Sequence, residues 1–322
     1  MEFRDFTAGK DDDGRRLDRV LRIFLKDAGL GEIYKLLRKG LIKVNQKKAK
    51  PETHLAQGDV ISIAEFLLNS DRSDKSEKPA AACDSLKIVF ENEHLLIIDK
   101  PYGRSVHGSE KNESGGLDKD VLTWYQAEKA DFNDSLSFRP GPLHRLDRNT
   151  TGLLVFSLSL KGAQWFSEGI KNHTIRKKYY GIAGGNLKNT ETWEDKLADS
   201  AATEEGFYTV AQADDGLLSK TCARPLAYGN YKGKAVTLVE YSIETGRKHQ
   251  IRSQSQIHGY PLLGDKAYGG AAFSDSREYY LQAFSLSFPQ DNPLGLPSEI
   301  KIPLSKDFIR ALECCEIKNP GL

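Results

Sequence analysis

A chain of 322 residues is too long for one small domain and suits two. Hydrophobic residues make up 39% and aromatics 9%, enough for a packed core, which excludes a wholly disordered chain. The formal net charge of +1 makes no case for a polyanionic partner, so any such case rests on local clusters. The first residues, MEFRDFTAGKDDD, lack the apolar run of a secretory signal and are too acidic for a transit peptide. No stretch approaches the length of a membrane-spanning helix, so a cytoplasmic protein with no membrane partner is expected. The four cysteines, Cys83, Cys222, Cys314 and Cys315, form no C-x-x-C pair and have no histidine nearby at metal spacing. They read as reduced thiols, and no metal site is expected.

The first structured region runs over 15–63. Leu17, Val20, Leu21, Phe24 and Leu25 fall at helical spacing, as do Ile33, Leu36 and Leu37 before a stop at Gly40. Two short strands follow, Leu41–Val44 and Val60–Ile63, with Asn45-Gln46 and Gln57-Gly58-Asp59 as turn signals. Lys35, Arg38, Lys39, Lys43, Lys47 and Lys48 crowd this region, and no acid lies between Ile33 and Lys50. Such a face suits phosphate contacts; on composition alone it is equally an ordinary solvated lysine face. Residues 64–85 contain SDRSDKSEKPAA, poor in apolar residues and rich in Ser, Asp and Lys, the composition of a flexible linker.

The third region, 86–316, alternates short apolar runs with polar turns. Ile88 to Gly103 reads as a hairpin ending in a Pro-x-Gly turn; Lys100 there could line a cleft, with no catalytic role assigned. Arg139 to Phe156, RPGPLHRLDRNTTGLLVF, sets Asp147 between Arg145 and Arg148, then a polar turn, then the strand-like run Leu153–Phe156. A nearby positive charge favours the charged form of a carboxylate. An ionised Asp in a basic cleft is a poor general acid; it can be a nucleophile or a partner for a developing cation. In isolation the pattern is more often a surface ion pair. Arg176 to Gly181, RKKYYG, places three cations before two tyrosines, which alone suggests a basic strand edge. The acidic stretch Glu191 to Asp215 suggests an insertion or variable surface loop. After the strand Val236–Tyr241 comes ETGRKHQIR, Glu244 to Arg252. Next is HGYPLLGDKAYGG, His258 to Gly270, whose glycines and proline imply tight turns.

The Asp147 segment resembles the central motif of the RluA-type pseudouridine synthases, HRLDxxTSG before a short apolar strand. His144, Arg145, Leu146, Asp147, Thr150 and Gly152 match, with Thr151 where Ser is usual. Three further family segments occur in order around it: the DKPxG-like turn, TGRxHQIR with every fixed position matched, and GxPxxGDxxYGG. RLDRVL and YKLLRKGLIKVNQKKAKPETHLAQGDVISI look like an S4 RNA-binding domain, with wording especially similar to the RluC branch. Departures are Ser253-Gln254-Ser255, where Val and Leu usually follow QIR, and Gln282, where a His is usual.

The resemblance implies an α+β fold: a small S4 module, a linker, and a larger mixed, mostly antiparallel sheet with packed helices. It implies isomerisation of uridine to pseudouridine in RNA, with no cofactor. Asp147 would be the nucleophile, acting covalently or by starting a proton abstraction on the sugar. Tyr179 would stand against the uracil, with Tyr180 the alternative by one register, and Arg252 would ion-pair with Asp147. Arg145, His144, Arg247, Lys248 and His249 would face RNA, joined by the six cations of the S4 module. A base inside a duplex is unreachable, so the uridine must be flipped out, and Arg145 could stack in the vacated place. The implied partner is 23S rRNA or an assembling large ribosomal subunit, met by a monomer. Two alternatives stand: a synthase acting on transfer RNA, or a catalytically silent RNA-binding or ribosome-assembly factor. The intact set Asp147, Tyr179 and Arg252 argues against silence.

Overall fold

The structure is a computed structural model that describes residues 1–25, 28–68, 86–108, 115–128, 135–200, 208–273, 277–318 and 321. The side chain of Phe24, Cys83 and residues 69–85 of the expected linker lie outside the described residues. The chain divides into two compact units: 1–85 with 120–141 and 158–161, and 86–119 with 142–157 and 162–322.

The first unit contains β1 (Phe3–Thr7), α1 (Leu17–Phe24), α2 (Leu30–Lys39), β2 (Ile42–Val44), β3 (Lys47–Lys48) and β4 (Val60–Ala64). Its strands form an antiparallel sheet in the order β1-β4-β2-β3. The helical-spacing residues Leu17, Val20, Leu21, Ile33 and Leu37 are buried in one core with Ile42, Val44, Ile61 and Ile63. Gly40 stops α2 at φ 74°, where its N–H bonds back to the last turn. Asn45 and Gln46 both have positive φ, 49° and 63°, the two-residue turn that matches strand twist in a hairpin. Strand β1 carries this sheet ahead of Arg15. Its two Phe residues stand three apart, out of step with a strand's period of two, so FRDFT gives no alternation to read.

The second unit is built on a mixed sheet, eleven-stranded among the described residues. Its strands are β5 (Ile88–Glu91), β6 (Leu95–Lys100), β7 (Gly141–Pro142), β8 (Thr151–Ser157), β9 (Arg176–Gly184), β10 (Glu191–Asp199), β11 (Val210–Gln212), β12 (Leu217–Tyr231), β13 (Lys234–Ile243), β14 (Leu281–Ser287) and β15 (Glu299–Lys301). The main path is β11-β10-β12-β13-β9-β14-β8-β6-β5, with β15 on β14 and β7 on β8. Every pairing on that path is antiparallel except β14 with β8. The remaining helices are α3 (Leu117–Glu128), α4 (Leu160–Lys171), α5 (Gln250–Ile257) and α6 (Lys306–Cys314). The α+β class with a mixed, mostly antiparallel sheet is therefore as the motifs implied. No helix among the described residues is long and apolar enough to cross a membrane.

Two local readings change. The acidic stretch from Glu191 is not a surface loop in its described part; it forms β10 and β11, while 201–207 lie outside the described residues. Trp193, Asp195 and Leu197 alternate inward and are buried, while Thr192, Glu194 and Lys196 face solvent, the pattern of a half-buried strand. RKKYY is not on a sheet edge either: β9 is flanked by β13 and β14. At the join of β8 and β14, Gly152 adopts φ 105°, and a Cβ there would meet the Ala283 carbonyl oxygen at 2.1 Å. Only glycine allows this close parallel contact. Gln282, where a His was usual, donates to the Pro303 carbonyl (2.8 Å) and accepts from the Ser305 N–H (3.0 Å).

Candidate active site

Four neighbouring strands of the sheet, β13, β9, β14 and β8, surround one cleft of about 440 Å3. Asp147 stands on the turn before β8, Tyr179 on β9, Leu281 on β14, and Arg252 on α5 after β13; all four line the cleft. Leu146, Ile243 and Ile251 add apolar wall. A polar group is thus set among surfaces that would accept a flat base.

The Asp147 turn closes on itself, with the Thr150 N–H bonding the Asp147 carbonyl at 3.1 Å. It is also held from behind. Lys100 does not line the cleft; it is fully buried and donates Nζ to the carbonyls of Arg148 (2.8 Å) and Pro101 (3.0 Å). Burial pushes its pKa down to about 7. Arg148 donates Nε to the Gly103 carbonyl at 3.0 Å. The charges that meet Asp147 are therefore not its sequence neighbours. Its ion-pair partner among the described residues is Arg252, Nη1 to Oδ2 at 3.5 Å, and the His249 ring stands on the other side with Nε2 3.9 Å from Oδ1. Arg145 is exposed at the mouth of the cleft.

Arg252 is committed mainly elsewhere. Its guanidinium is clamped by Asp265 in a two-bond fork, Nε to Oδ2 at 2.7 Å and Nη2 to Oδ1 at 2.8 Å, with both side chains buried. It also lies over the rings of Tyr279 (4.5 Å) and Tyr268 (4.9 Å). Burial works against the Arg252 charge, but the Asp265 hydrogen bond and the charges of Asp265 and Asp147 outweigh it and raise its pKa. Asp265 and Tyr279 were missed at the sequence level. The GD-x-x-Y-G-G spacing looked like turn chemistry, and nothing linear ties Asp265 to Arg252.

Tyr179 is buried in the cleft wall, and burial and the Asp147 charge raise its pKa, so its phenol keeps its proton. Tyr180 faces the other way and stacks flat on Phe284, with ring centroids 3.6 Å apart. His144 lines the cleft but serves the frame: its Nε2 accepts from the Val155 N–H at 3.1 Å, and burial and Lys177 push its pKa down to about 3. Arg247 is exposed; Lys248 is tied to Asp199 at 2.8 Å. Lys35, Arg38, Lys39, Lys47 and Lys48 are exposed in the first unit, and Lys43 lies half-buried, with Nζ 4.6 Å from the Phe3 ring.

The departure after QIR has a structural reason. Ser253, Gln254 and Ser255 are buried, and each is satisfied. Gln254 donates to Asp195 (2.7 Å) and accepts from Thr221 (2.6 Å), while His258 reaches the same Asp195 at 3.0 Å and stacks on Trp193. Gln250 accepts from Thr245 Oγ1 and the Arg247 N–H and donates to Thr221, fixing the loop that precedes α5. A polar network replaces an apolar seam between α5 and the sheet.

The fold and the cleft define a sheet-based enzyme that presents a carboxylate to a base-sized slot. The chain belongs to the RNA pseudouridylate synthase family, whose model matches residues 94–256. It is 30% identical to ribosomal large subunit pseudouridine synthase C of Vibrio cholerae over 81% of this chain and 78% of that one. The protein of the same name from Vibrio vulnificus is 28% identical over 93% and 92%, and that from Salmonella typhi 29% over 96% and 95%. Among solved structures, the human RNA pseudouridylate synthase domain containing 4 protein aligns with TM-score 0.56 at 19% identity, covering 73% of this chain and 94% of that one. The human domain containing 1 protein aligns at 0.52 and 23%, covering 72% and 96%; both show the fold. The chain is an RNA pseudouridine synthase, and its matched segment holds Asp147, Tyr179 and Arg252 but stops short of Asp265.

Lys177 was also missed as a cleft residue. It stands two positions before Tyr179 on the same face of β9, is 5% exposed, and has no hydrogen-bond or ion-pair partner among the described residues. Burial alone pushes its pKa from 10.5 down to about 8. Below that value the fold carries a largely buried ammonium that lines the cleft with no described partner. Between about 8 and 10.5 the folded form has shed a proton the unfolded chain still holds, so this cost is relieved as pH rises. Lys177→Met should therefore stabilise the protein at pH 7, by at most about 3 kcal/mol, and the gain should shrink toward pH 10.5. Urea unfolding at several pH values checks this; a Met variant with a pH-independent loss of stability would contradict it.

Proposed function

We propose that this synthase isomerises specific uridines of large-subunit (23S) ribosomal RNA, with Asp147 as the group that reacts at the sugar. The substrate reading rests on the relatives named above, whose names place them on the large ribosomal subunit. The carboxylate reading rests on one observation: Asp147 faces a buried guanidinium and a neutral phenol in a slot with apolar walls.

The N1–C1′ bond breaks with its electron pair going to the uracil, the base turns over, and C5 bonds to C1′. The C5 proton leaves and N1 gains one, so the product is an isomer and no redox partner enters. Tyr179 packs against the turning base by its ring and holds a proton at its hydroxyl. Arg252 steadies the carboxylate. Arg145, at the mouth, stacks in the place the flipped nucleotide vacates. The chain acts as a cytoplasmic monomer on the free RNA or an assembling subunit.

Asp147→Asn keeps size and hydrogen bonding and removes the charge. Pseudouridine formation should fall below detection while RNA affinity stays within about threefold. Substantial turnover by the Asn variant would sink the assignment.

Residues 15–63 act as an S4 RNA-binding module, joined through 64–85 to the catalytic region 86–316. None of Lys35, Arg38, Lys39, Lys43, Lys47 and Lys48 pairs with a carboxylate among the described residues, which leaves them available to phosphates. Replacing Lys35, Arg38 and Lys39 together by Gln should flatten the salt dependence of binding to a long rRNA fragment by up to about 0.9 per lost phosphate contact. KM should rise and turnover at saturating RNA should hold, because the module raises local RNA concentration. An unchanged salt slope would rule the module's contacts out.

A further inference from the structure

His249 precedes α5 as its N-cap with φ 53°, a left-handed conformation uncommon for a residue with a side chain. The two ring nitrogens face opposite ways. Nε2 lies 3.9 Å from Oδ1 of Asp147, and Nδ1 lies 2.9 Å from the Tyr268 hydroxyl oxygen. That oxygen also accepts the Val210 N–H at 2.9 Å. Tyr268 is 5% exposed, so its single hydroxyl hydrogen must find a partner inside the protein. Nδ1 of His249 is the acceptor in reach among the described residues. Tyr268 therefore donates, Nδ1 accepts, and the one proton of a neutral imidazole is left on Nε2, on the Asp147 side. Burial keeps the ring neutral, pushing its pKa down to about 4; Asp147 opposes this, while Arg252, Lys248 and Arg145 add to it.

We propose that Tyr268 is a positioning residue that locks His249 as the Nε2–H tautomer, so that His249 directs an uncharged N–H toward Oδ1 of Asp147, 3.9 Å away and just outside hydrogen-bond reach. Arg252 faces the other carboxylate oxygen. The two arms are braced by one short segment, Asp265 behind Arg252 and Tyr268 behind His249. One arm is charged and one is neutral. A second full cation would hold the carboxylate more tightly than a reacting group can use; a neutral N–H aimed at Oδ1 from 3.9 Å biases its orientation and leaves its electron pairs reactive.

The inference rests on Asp147 being the reacting carboxylate, but its first test does not. Long-range nitrogen–proton NMR of histidine-labelled wild-type protein at pH 7 reads the tautomer directly, with His249→Gln used only to assign the signal. Nε2 should carry the proton and Nδ1 should be bare. In Tyr268→Phe the lock is gone: the Nδ1–H form should appear, and kcat should fall roughly tenfold with KM for RNA within about twofold. A wild-type ring protonated at Nδ1 would overturn the proposal. So would a Tyr268→Phe enzyme that loses kcat with the tautomer unchanged, or shifts tautomer at full kcat. Turnover by Asp147→Asn would instead sink the reading of the carboxylate and leave the tautomer result standing.

Discussion

The buried pair of Arg252 with Asp265 is the contact on which the cleft depends. Two charges taken out of water are tolerated only when each meets the other in good geometry. The fork between them satisfies the condition with two bonds at 2.7 and 2.8 Å. Losing one partner of such a pair costs about 3–5 kcal/mol, because the other charge is stranded. The fork therefore fixes where α5 lies against the segment 264–270. It also fixes the third guanidinium nitrogen, Nη1, which is the one that faces Asp147. Asp147 thus takes part of its geometry from a second carboxylate, Asp265, buried behind Arg252.

The rest of the cleft is arranged around that clamp. Helix α5 carries Arg252 and is seated on β10 and β12 by amide and hydroxyl groups instead of aliphatic packing, through Gln250, Gln254, Thr221 and Asp195. Directional bonds set a helix's rotation more narrowly than interchangeable methyl contacts do. On the opposite wall the Asp147 turn is fixed by backbone means: Lys100 holds the Arg148 carbonyl, and Gly152 lets β14 come up against β8. Both sides of the slot are thus immobilised without any residue that must touch RNA. Lys177, a cleft cation with no described hydrogen-bond or ion-pair partner, is the exception.

What could be read from the chain divides along physical lines. Asp147, Tyr179 and Arg252 lie in short segments whose residue order is itself constrained, and the alternation of β9 set Tyr179 and Tyr180 on opposite faces before any coordinates. Helices α1 and α2 announced themselves by spacing and by Gly40. The partners of these residues could not be read. Arg145 and Arg148 adjoin Asp147 in sequence, yet the turn sends Arg148 to the Gly103 carbonyl, and the pairing charge arrives from α5, 105 positions later in the numbering. Asp265 and Tyr268 hid in a segment whose glycines explained it too easily as a turn. Strand β10 hid because three-dimensional alternation had been overlaid by acidic composition, with Asp195 buried and bonded to Gln254 and His258.

A double-mutant cycle on the single-turnover rate of pseudouridine formation tests the central claim most directly, using Asp265→Asn, Arg252→Met and the two combined at matched folded fraction. If Asp265 acts only by holding Arg252 to Asp147, each single change slows the step by roughly tenfold or more. The double variant should then be no slower than Arg252→Met alone. Losses that simply add, or an Asp265→Asn enzyme that keeps the wild-type rate, would contradict the account.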